Sequence, residues 1–341
     1  MKVAIAILNW NGKSLLEKFL PDVLKNIPAY ADVYVIDNAS SDDSVKYIYS
    51  NFSSVKIIQN AKNFGFAKGY NVGLKNINAD YFVLLNSDVQ VTRNWIEPVI
   101  ALMESDTEIA ACQPKLLNYK ERDEFEYAGG GGGYIDKWGY PFCRGRIFNS
   151  FEKDSGQYND SREIFWASGA CLFIRSTVYN EAGGLDEDFF AHMEEIDLCW
   201  RIRNLGYKIM YCPDAVVYHV GAGTLAKMNS QKTFYNFRNN LLMLCKNHAP
   251  GSLGLKLILR GVLDGFAGIK FLLAGDVAHF VAVIRAHFSF YSMLGKTLMK
   301  RKAIQKKTKH YSSSCVYRGS IVWEYFVKGK RKFSELNLKL F

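Results

Sequence analysis

The chain has 341 residues, 49% of them hydrophobic and 14% aromatic, enough apolar material for one large core or two smaller ones. Its formal net charge is +10, with 43 Lys and Arg against 33 Asp and Glu, which points to an anionic partner: nucleic acid, anionic lipid or a phosphorylated substrate. Seven scattered cysteines with no CxxC pair argue for buried free thiols in a reducing compartment rather than a disulfide framework.

Residues 3–8, Val-Ala-Ile-Ala-Ile-Leu, read as a buried strand. The run is too short and too strand-like for a signal peptide, so a cytoplasmic location is expected. Residues 15–25 carry an amphipathic helix pattern, followed by a strand at 32–36, a helix at 44–50 and a strand at 55–59. A helix at 67–75 and a strand at 81–85 complete the alternation. This order predicts an α/β fold with a mostly parallel central sheet and helices on both faces. Such sheets bind ligands at the carboxyl ends of their strands. Asn9 and Asn11 follow the first strand, Asp37 and Asn38 the second, Asn63 the third, and Asn86, Ser87 and Asp88 the fourth.

From about residue 110 to 223 the pattern is mixed. Five consecutive glycines at 129–133 cannot hold a regular element, so a mobile loop is expected, either a surface connection or a lid on the acceptor side. Residues 163–175 predict a strand–turn–strand through Ser168 and Gly169, and 197–206 a helix ended by a glycine. Beyond about 225 acidic residues thin out and apolar segments lengthen, at 241–244, 253–259, 266–274 and 278–284. Charges such as Arg260, Asp264, Lys270, Asp276 and Arg285 interrupt them, and none reaches the roughly 20 uninterrupted apolar residues of a spanning helix. A basic block follows, with Lys300, Arg301, Lys302, Lys306, Lys307 and Lys309. The expected arrangement is residues 1–225 as the α/β domain and 226–341 as helices on a membrane surface with a basic tail facing anionic lipid. An ordinary helical subdomain packed on the sheet is the other reading.

Asp88 stands just past a buried strand, in an Asn-Ser-Asp turn. It can present a carboxylate to Mg²⁺ or Mn²⁺, hard cations that prefer oxygen ligands; the same tripeptide is also a common turn. His219 ends the strand-like run 215–218 and can supply a further metal ligand or touch a diphosphate; a lone histidine is often structural. Glu194, Glu195 and Asp197 crowd three acids into four residues at a helix start. Ordinary charge matching to the helix dipole explains such a cluster. One of them could also deprotonate a hydroxyl, since a crowded carboxylate has a raised pKa. Asp37-Asn38 can meet a base or ribose hydroxyl, or cap the next helix. Residues 62–73 are glycine-rich but match neither GxxxxGK[ST] nor GxGxxG, which disfavours a P-loop ATPase and a Rossmann dehydrogenase.

As an ordered set, these segments resemble the family 2 glycosyltransferases with the GT-A fold, most closely the bacterial rhamnosyltransferase-like branch of surface-polysaccharide assembly. The carrying residues are Ile7 to Gly12, Val35 to Ser40, Asn63 to Ala67 with Asn71 to Gly73, Leu84 to Asp88, Ser168 to Ala170, Phe189 to Arg201, and His219. The resemblance spans roughly residues 1–225. It implies an inverting single displacement from a nucleotide-sugar donor, dTDP-rhamnose first and UDP-hexoses next, to a lipid-linked or growing saccharide.

By the same resemblance Asn9, Asn11, Asp37, Asn38, Asn63, Gly65 and Asn71 would line or support the nucleotide pocket together with Asn86 and Ser87. Asp88 takes the last position of an Asp-x-Asp metal motif whose first acid is Asn86 here, and His219 joins it in holding a divalent cation and diphosphate. Glu195 falls on the base position, one methylene longer than the family's Asp, which leaves Glu194 open as the working residue. Trp166, Ser168 and Gly169 would border the sugars. The implied enzyme is cytoplasmic and peripheral on the inner face of the cell membrane. The rival readings are a nucleotidyltransferase and a non-catalytic glycan- or membrane-binding protein. No interleaved basic and aromatic stripe supports nucleic acid as the partner.

Overall fold

The structure is a computed structural model and describes residues 1–221 and 229–341. The expected alternation is present: β1 (Val3–Asn9), α1 (Lys13–Lys25), β2 (Ala31–Asp37), α2 (Ser44–Asn51), β3 (Lys56–Gln59), α3 (Gly65–Leu74) and β4 (Tyr81–Asn86). Then come β5 (Val89–Val91), α4 (Glu97–Glu104), β6 (Ile109–Asn118), β7 (Gly133–Asp136), β8 (Pro141–Cys143), β9 (Arg146–Ile147) and β10 (Ser150–Phe151). They are followed by β11 (Arg162–Glu163), β12 (Cys171–Arg175), α5 (Ser176–Glu181), α6 (Glu194–Asn204) and β13 (Lys208–His219). The C-terminal part holds α7 (Ser230–Asn247), α8 (Leu253–Leu273), α9 (Val277–Ser292), α10 (Leu294–Lys307), β14 (Val316–Tyr317) and α11 (Ile321–Phe326).

The main sheet runs β11-β13-β6-β12-β4-β1-β2-β3, with β5 paired to β13. β1, β2, β3 and β4 are mutually parallel, as are β6 and β13, and β12 enters antiparallel between β4 and β6. Side chains alternate across the sheet as the two-residue strand period requires. Val3, Ile5 and Ile7 join Leu16, Leu20 and Val23 of α1 on one face. Ala4 and Ala6 join Ala67, Tyr70 and Leu74 of α3 on the other. That second core continues into Leu241–Cys245 of α7 and into Tyr317, Ile321 and Phe333, so the C-terminal helices share apolar packing with the sheet. The expected division after residue 225 falls outside the described residues. All seven cysteines are unpaired.

The five glycines are not a mobile loop. All are buried, and neighbours occupy the space a side chain would need. Gly130 has φ +40, and a methyl group there would meet the Arg144 carbonyl oxygen at 2.6 Å. At Gly133 a methyl would lie 2.2 Å from the Trp166 indole. Composition correctly excludes a helix here; the freedom it suggests is removed by a second, five-stranded sheet, β10-β9-β8-β7-β14, that closes over the run.

Candidate active site

Register brings the strand ends level: Asn9 pairs with Asp37 across β1 and β2, and Leu8 with Asn86 across β1 and β4. Asp37 is buried. Its Oδ1 accepts from Asn9 Nδ2 at 3.0 Å and Ser40 Oγ at 2.6 Å, and its Oδ2 from the Ser40 N–H at 2.9 Å. Asn11 sits at φ 51, a left-handed conformation that Asn tolerates better than most residues, and accepts from the Ser41 N–H at 2.7 Å. Asn38 carries the network to the third strand end: its Oδ1 accepts from Asn60 Nδ2 at 2.8 Å and its Nδ2 donates to the Gly65 carbonyl at 2.9 Å. Asn63 Oδ1 takes the Gly65 N–H at 2.9 Å. These residues therefore form one connected polar rim. Asn71 is engaged elsewhere: Nδ2 donates to Leu185 O at 2.7 Å, and Oδ1 accepts from Tyr179 Oη at 2.7 Å and Leu185 N–H at 3.0 Å. It fastens α3 to the segment before the acidic cluster.

The turn after β4 meets the end of β13. His219 Nε2 lies 3.1 Å from Asp88 Oδ1 and 3.5 Å from Asn86 Nδ2, and the Val220 N–H donates to the Asp88 carbonyl at 3.1 Å. Ser87 Oγ faces Gly12 of the first loop. His219 Nδ1 is 3.3 Å from Glu126 Oε1, and all three side chains are buried. Burial works against a charged imidazole, but the carboxylates of Glu126 and Asp88 outweigh it and raise His219 to about 10. Burial likewise opposes ionisation of Asp88 and Glu126, and His219 holds both below their ordinary values.

Glu126 escapes sequence reading because it belongs to no motif. Its role comes from a histidine 93 residues later in the chain, met only through β13. A carboxylate on Nδ1 fixes the ring so that Nε2 faces Asp88, the arrangement by which histidine ligands are oriented toward metals. Asp88 thus offers one oxygen to a divalent cation, and His219 one nitrogen once a cation displaces its Nε2 proton. Among the described residues no group of three or more His, Cys, Asp or Glu forms a cation cage, so further ligands would come from substrate oxygens or water.

The second cluster opens α6. Phe190, His192 and Met193 all have positive φ (61, 68 and 73), a sparsely populated conformation for residues with side chains. Asn239 of α7 holds this segment, its Nδ2 donating to the carbonyls of Phe189 at 3.0 Å, Ala191 at 2.9 Å and His192 at 2.8 Å. Arg238 Nη2 adds a bond to Asp188 O at 3.1 Å. These clamp residues were also missed, since nothing in an Arg-Asn-Asn run signals them.

The three acids have separate fates. Asp197 is fully buried and neutralised by Arg201 Nε at 2.9 Å, Lys246 Nζ at 2.9 Å and Asn247 Nδ2 at 2.7 Å, so it anchors the helix. Glu194 and Glu195 each keep one oxygen, Oε2, buried and without a hydrogen-bond partner among the described residues. Burial raises Glu195 to about 7, and burial together with the charge of Glu195 raises Glu194 well above the usual carboxylate range. Burial also pushes the neighbouring His192 down to about 4, leaving a neutral imidazole.

Residues 166–170 join the two clusters. The Asn86 N–H donates to Ala170 O at 3.0 Å, while a methyl on Gly169 would lie 3.6 Å from Glu195 Cβ and 3.5 Å from the Phe66 ring. The Ser168 N–H is held by Gln113 Oε1 at 2.9 Å. Trp166 is buried, with its indole N–H on Tyr134 O at 2.9 Å and its ring against Gly133, so it shapes this wall from behind.

Residues 4–181 match glycosyl transferase family 2. A hexosyltransferase of low-salt glycan biosynthesis, Agl10 of Haloferax volcanii, is 23% identical over 248 residues, 70% of this chain and 74% of that protein. The N-acetylglucosaminyl-diphospho-decaprenol L-rhamnosyltransferase of Mycobacterium tuberculosis is 21% identical over 252 residues, 69% of this chain and 81% of its own. Among solved structures, GalNAc-T7 with UDP, GalNAc and Mn²⁺ superposes with a TM-score of 0.55 at 18% identity. That match covers 72% of this chain but only 47% of the GalNAc-T7 chain.

Proposed function

This chain belongs to glycosyl transferase family 2, and from that premise we propose an inverting transfer of one sugar from a nucleotide-diphosphate donor to a hydroxyl of a lipid-linked or growing saccharide. The observation that carries the proposal is the 168–170 segment, which takes the Asn86 N–H on one residue and abuts Glu195 with the next. It sets a carboxylate of raised pKa close to the turn that holds Asp88.

In this reading Asn9, Asn11, Asp37, Asn38 and Asn63 receive the nucleoside. Glu195 accepts the proton of the acceptor hydroxyl as that oxygen bonds to the anomeric carbon and the bond to the diphosphate breaks. Burial and the charge of Glu195 push Glu194 up, which disfavours a second negative charge beside the base. Asp88 and His219 would hold a divalent cation, Mg²⁺ or Mn²⁺, which when bound neutralises charge on the departing diphosphate. Glu126 keeps the His219 ring facing Asp88 throughout.

The donor we favour is dTDP-rhamnose, with UDP-hexoses next, because one relative is named a rhamnosyltransferase. That relative's name also includes a diphospho-decaprenol, which supports a lipid-linked acceptor. We place the enzyme in the cytoplasm, peripheral on the inner face of the cell membrane, a reading supported by its basic C-terminal segment. The test is a thermal-shift screen of the purified chain against dTDP-, UDP- and GDP-sugars, with and without Mn²⁺. Stabilisation by one nucleotide class, stronger with Mn²⁺, is expected. Folded protein that responds to none of them would overturn the proposal.

A further inference from the structure

The hairpin α8–α9 turns two apolar stripes outward. On α8 the charged side chains Arg260 and Asp264 are 1% and 0% exposed. They pair at 3.5 Å, and Asp264 also takes Tyr140 Oη at 3.0 Å and faces His287 Nε2 of α9 at 3.2 Å. The opposite stripe of the same helix, Leu255, Ile258, Val262, Phe266 and Leu273, is exposed, Leu273 at 83%. α9 also carries an apolar stripe outside: Val277, Val281, Ile284 and Phe288 follow one another at helical spacing, Phe288 at 73%. A helix packed on a core and facing water carries its charges outward and its apolar stripe inward. α8 reverses this at Arg260 and Asp264, and both helices carry an apolar stripe on the outside, although α9 also buries Ala282, Val283, Ala286 and Phe290 and leaves Arg285 exposed.

The apolar face continues at one end. Lys270 Nζ stands 4.3 Å from the Phe326 ring centroid, which brings the exposed Trp323 and Phe326 of α11 alongside α8. Charge is distributed to match. Residues 253–341 hold 17 Lys and Arg against 4 Asp and Glu, net +13, whereas the whole chain is +10. The entire basic excess therefore lies on the segment that carries the apolar face.

We propose that the α8–α9 face docks into the headgroup–acyl boundary of an anionic bilayer. The two stripes enter the acyl layer, and the exposed Lys302 and Lys306 of α10 with the basic residues of the following segment lie over the headgroups, whereas Lys296 and Lys300 are paired with Asp186 and Asp188 and Arg301 is buried. The inference deepens the membrane-surface reading above by assigning the surface that makes the contact. Several observations favour lipid over protein. The stripes offer no polar atoms for interface hydrogen bonds, and a predominantly basic surrounding, with Asp276 the acid at the turn, suits a sheet of anionic headgroups. A symmetric pairing of two copies through this face would set two strongly basic segments against each other. Among the described residues no single helix is long and apolar enough to cross a membrane; one bent pair, α9 with α10 at 62°, meets the length and composition criteria. Docking along the surface needs no crossing: α8, with 21 residues, can lie in plane over about 31 Å. Because α7 packs on both α9 and α10 and clamps the 189–192 segment through Asn239, the docked face is mechanically joined to the carboxylate pair.

The test is vesicle flotation of the full chain and of the double variant Phe266→Glu/Phe288→Glu, with phosphatidylcholine vesicles with and without phosphatidylglycerol. Wild type is expected to bind the anionic vesicles at least about ten-fold better than the neutral ones, and about ten-fold better than the variant does. Circular dichroism melting should be the same for both proteins, since the substituted positions are exposed. Equal flotation of variant and wild type would overturn the proposal, as would failure of wild type to float. A wild-type dimer that the variant makes monomeric, without vesicle binding, would assign the face to a second copy and overturn it too. The nucleotide-sugar thermal shift, run on the same samples, separates the two readings: its absence with flotation intact defeats the transfer reading and leaves the membrane contact standing.

Discussion

His219 Nε2 lies 3.1 Å from Asp88 Oδ1 across 131 residues of chain. The contact exists because β13 runs antiparallel to the short β5, pairing His219 with Val89, the residue after Asp88. It ties a turn inside the family-matched segment to a strand beyond it.

Removing either member should disable the diphosphate end of the site. Asp88→Ala and His219→Ala are expected to cost about 10²–10³ in kcat, the scale of losing one electrostatic stabiliser of the leaving charge. Both should also abolish extra thermal stabilisation by Mn²⁺ in the presence of nucleotide. Glu126→Gln keeps the ring in place with a neutral partner, so a weaker effect is expected, about 10-fold to 100-fold in Mn²⁺ affinity. Titrating Mn²⁺ against the thermal shift of each variant checks the order.

Glu195 sits at about 7 because burial disfavours its charge. A base must be ionised, so kcat/KM should rise as pH climbs through about 7 and level off above it, and Glu195→Gln should be inactive at every pH. The stability effect has the opposite sign. The unfolded carboxyl ionises near 4.5 and the folded one near 7, so the wild type should lose stability as pH rises through that window. In Glu195→Gln that slope should flatten. Tm measured from pH 4 to 9 decides between the two, bearing in mind that Glu194 titrates with its neighbour as a pair.

Asn239 should behave as a positioning residue. Asn239→Ala leaves the carbonyls of Phe189, Ala191 and His192 short of a donor, a loss of about 1–3 kcal/mol in stability. Because the clamp orients the base and meets the donor rim only through the Phe66 N–H on Phe190 O at 3.0 Å and the Phe190 ring against Gly65, kcat should fall by about ten-fold with a smaller change in KM for the donor. Equal changes in both constants would show a general loss of structure instead.

Gly133→Ala tests the packed glycine run. With the indole 2.2 Å from the new methyl, Trp166 must move, and overpacking of this kind costs about 3 kcal/mol. A drop in Tm accompanied by a shift in tryptophan emission is expected. A variant as stable as wild type would mean that the run is loose after all.

Much of the fold was legible because its signals are local. The apolar runs 3–8 and 81–85 are short and continuous, as strands buried on both faces are, and helical patterns stand between such runs, so the alternation and the mostly parallel sheet follow from their order. The asparagines and aspartates at the strand ends were legible for the same reason: the rule about carboxyl ends needs only the order of elements. Asp197 was not separable from Glu194 and Glu195 in sequence, since three neighbouring acids look alike until Arg201, Lys246 and Asn247 close on one of them. Glu126 and Asn239 were invisible because each acts on residues 93 and about 50 positions away.

The sequence by itself determined the α/β order, the polar rim at the strand ends, the pair of acidic sites and the basic, apolar C-terminal segment, all of them properties of short stretches and their periodicity. Only the tertiary structure decided which acid keeps a raised pKa, which carboxylate orients His219, whether five glycines are loose or packed, and which way α8 and α9 turn their charges. Those outcomes depend on burial and on partners distant in the chain, and a pattern along one strand or helix carries neither.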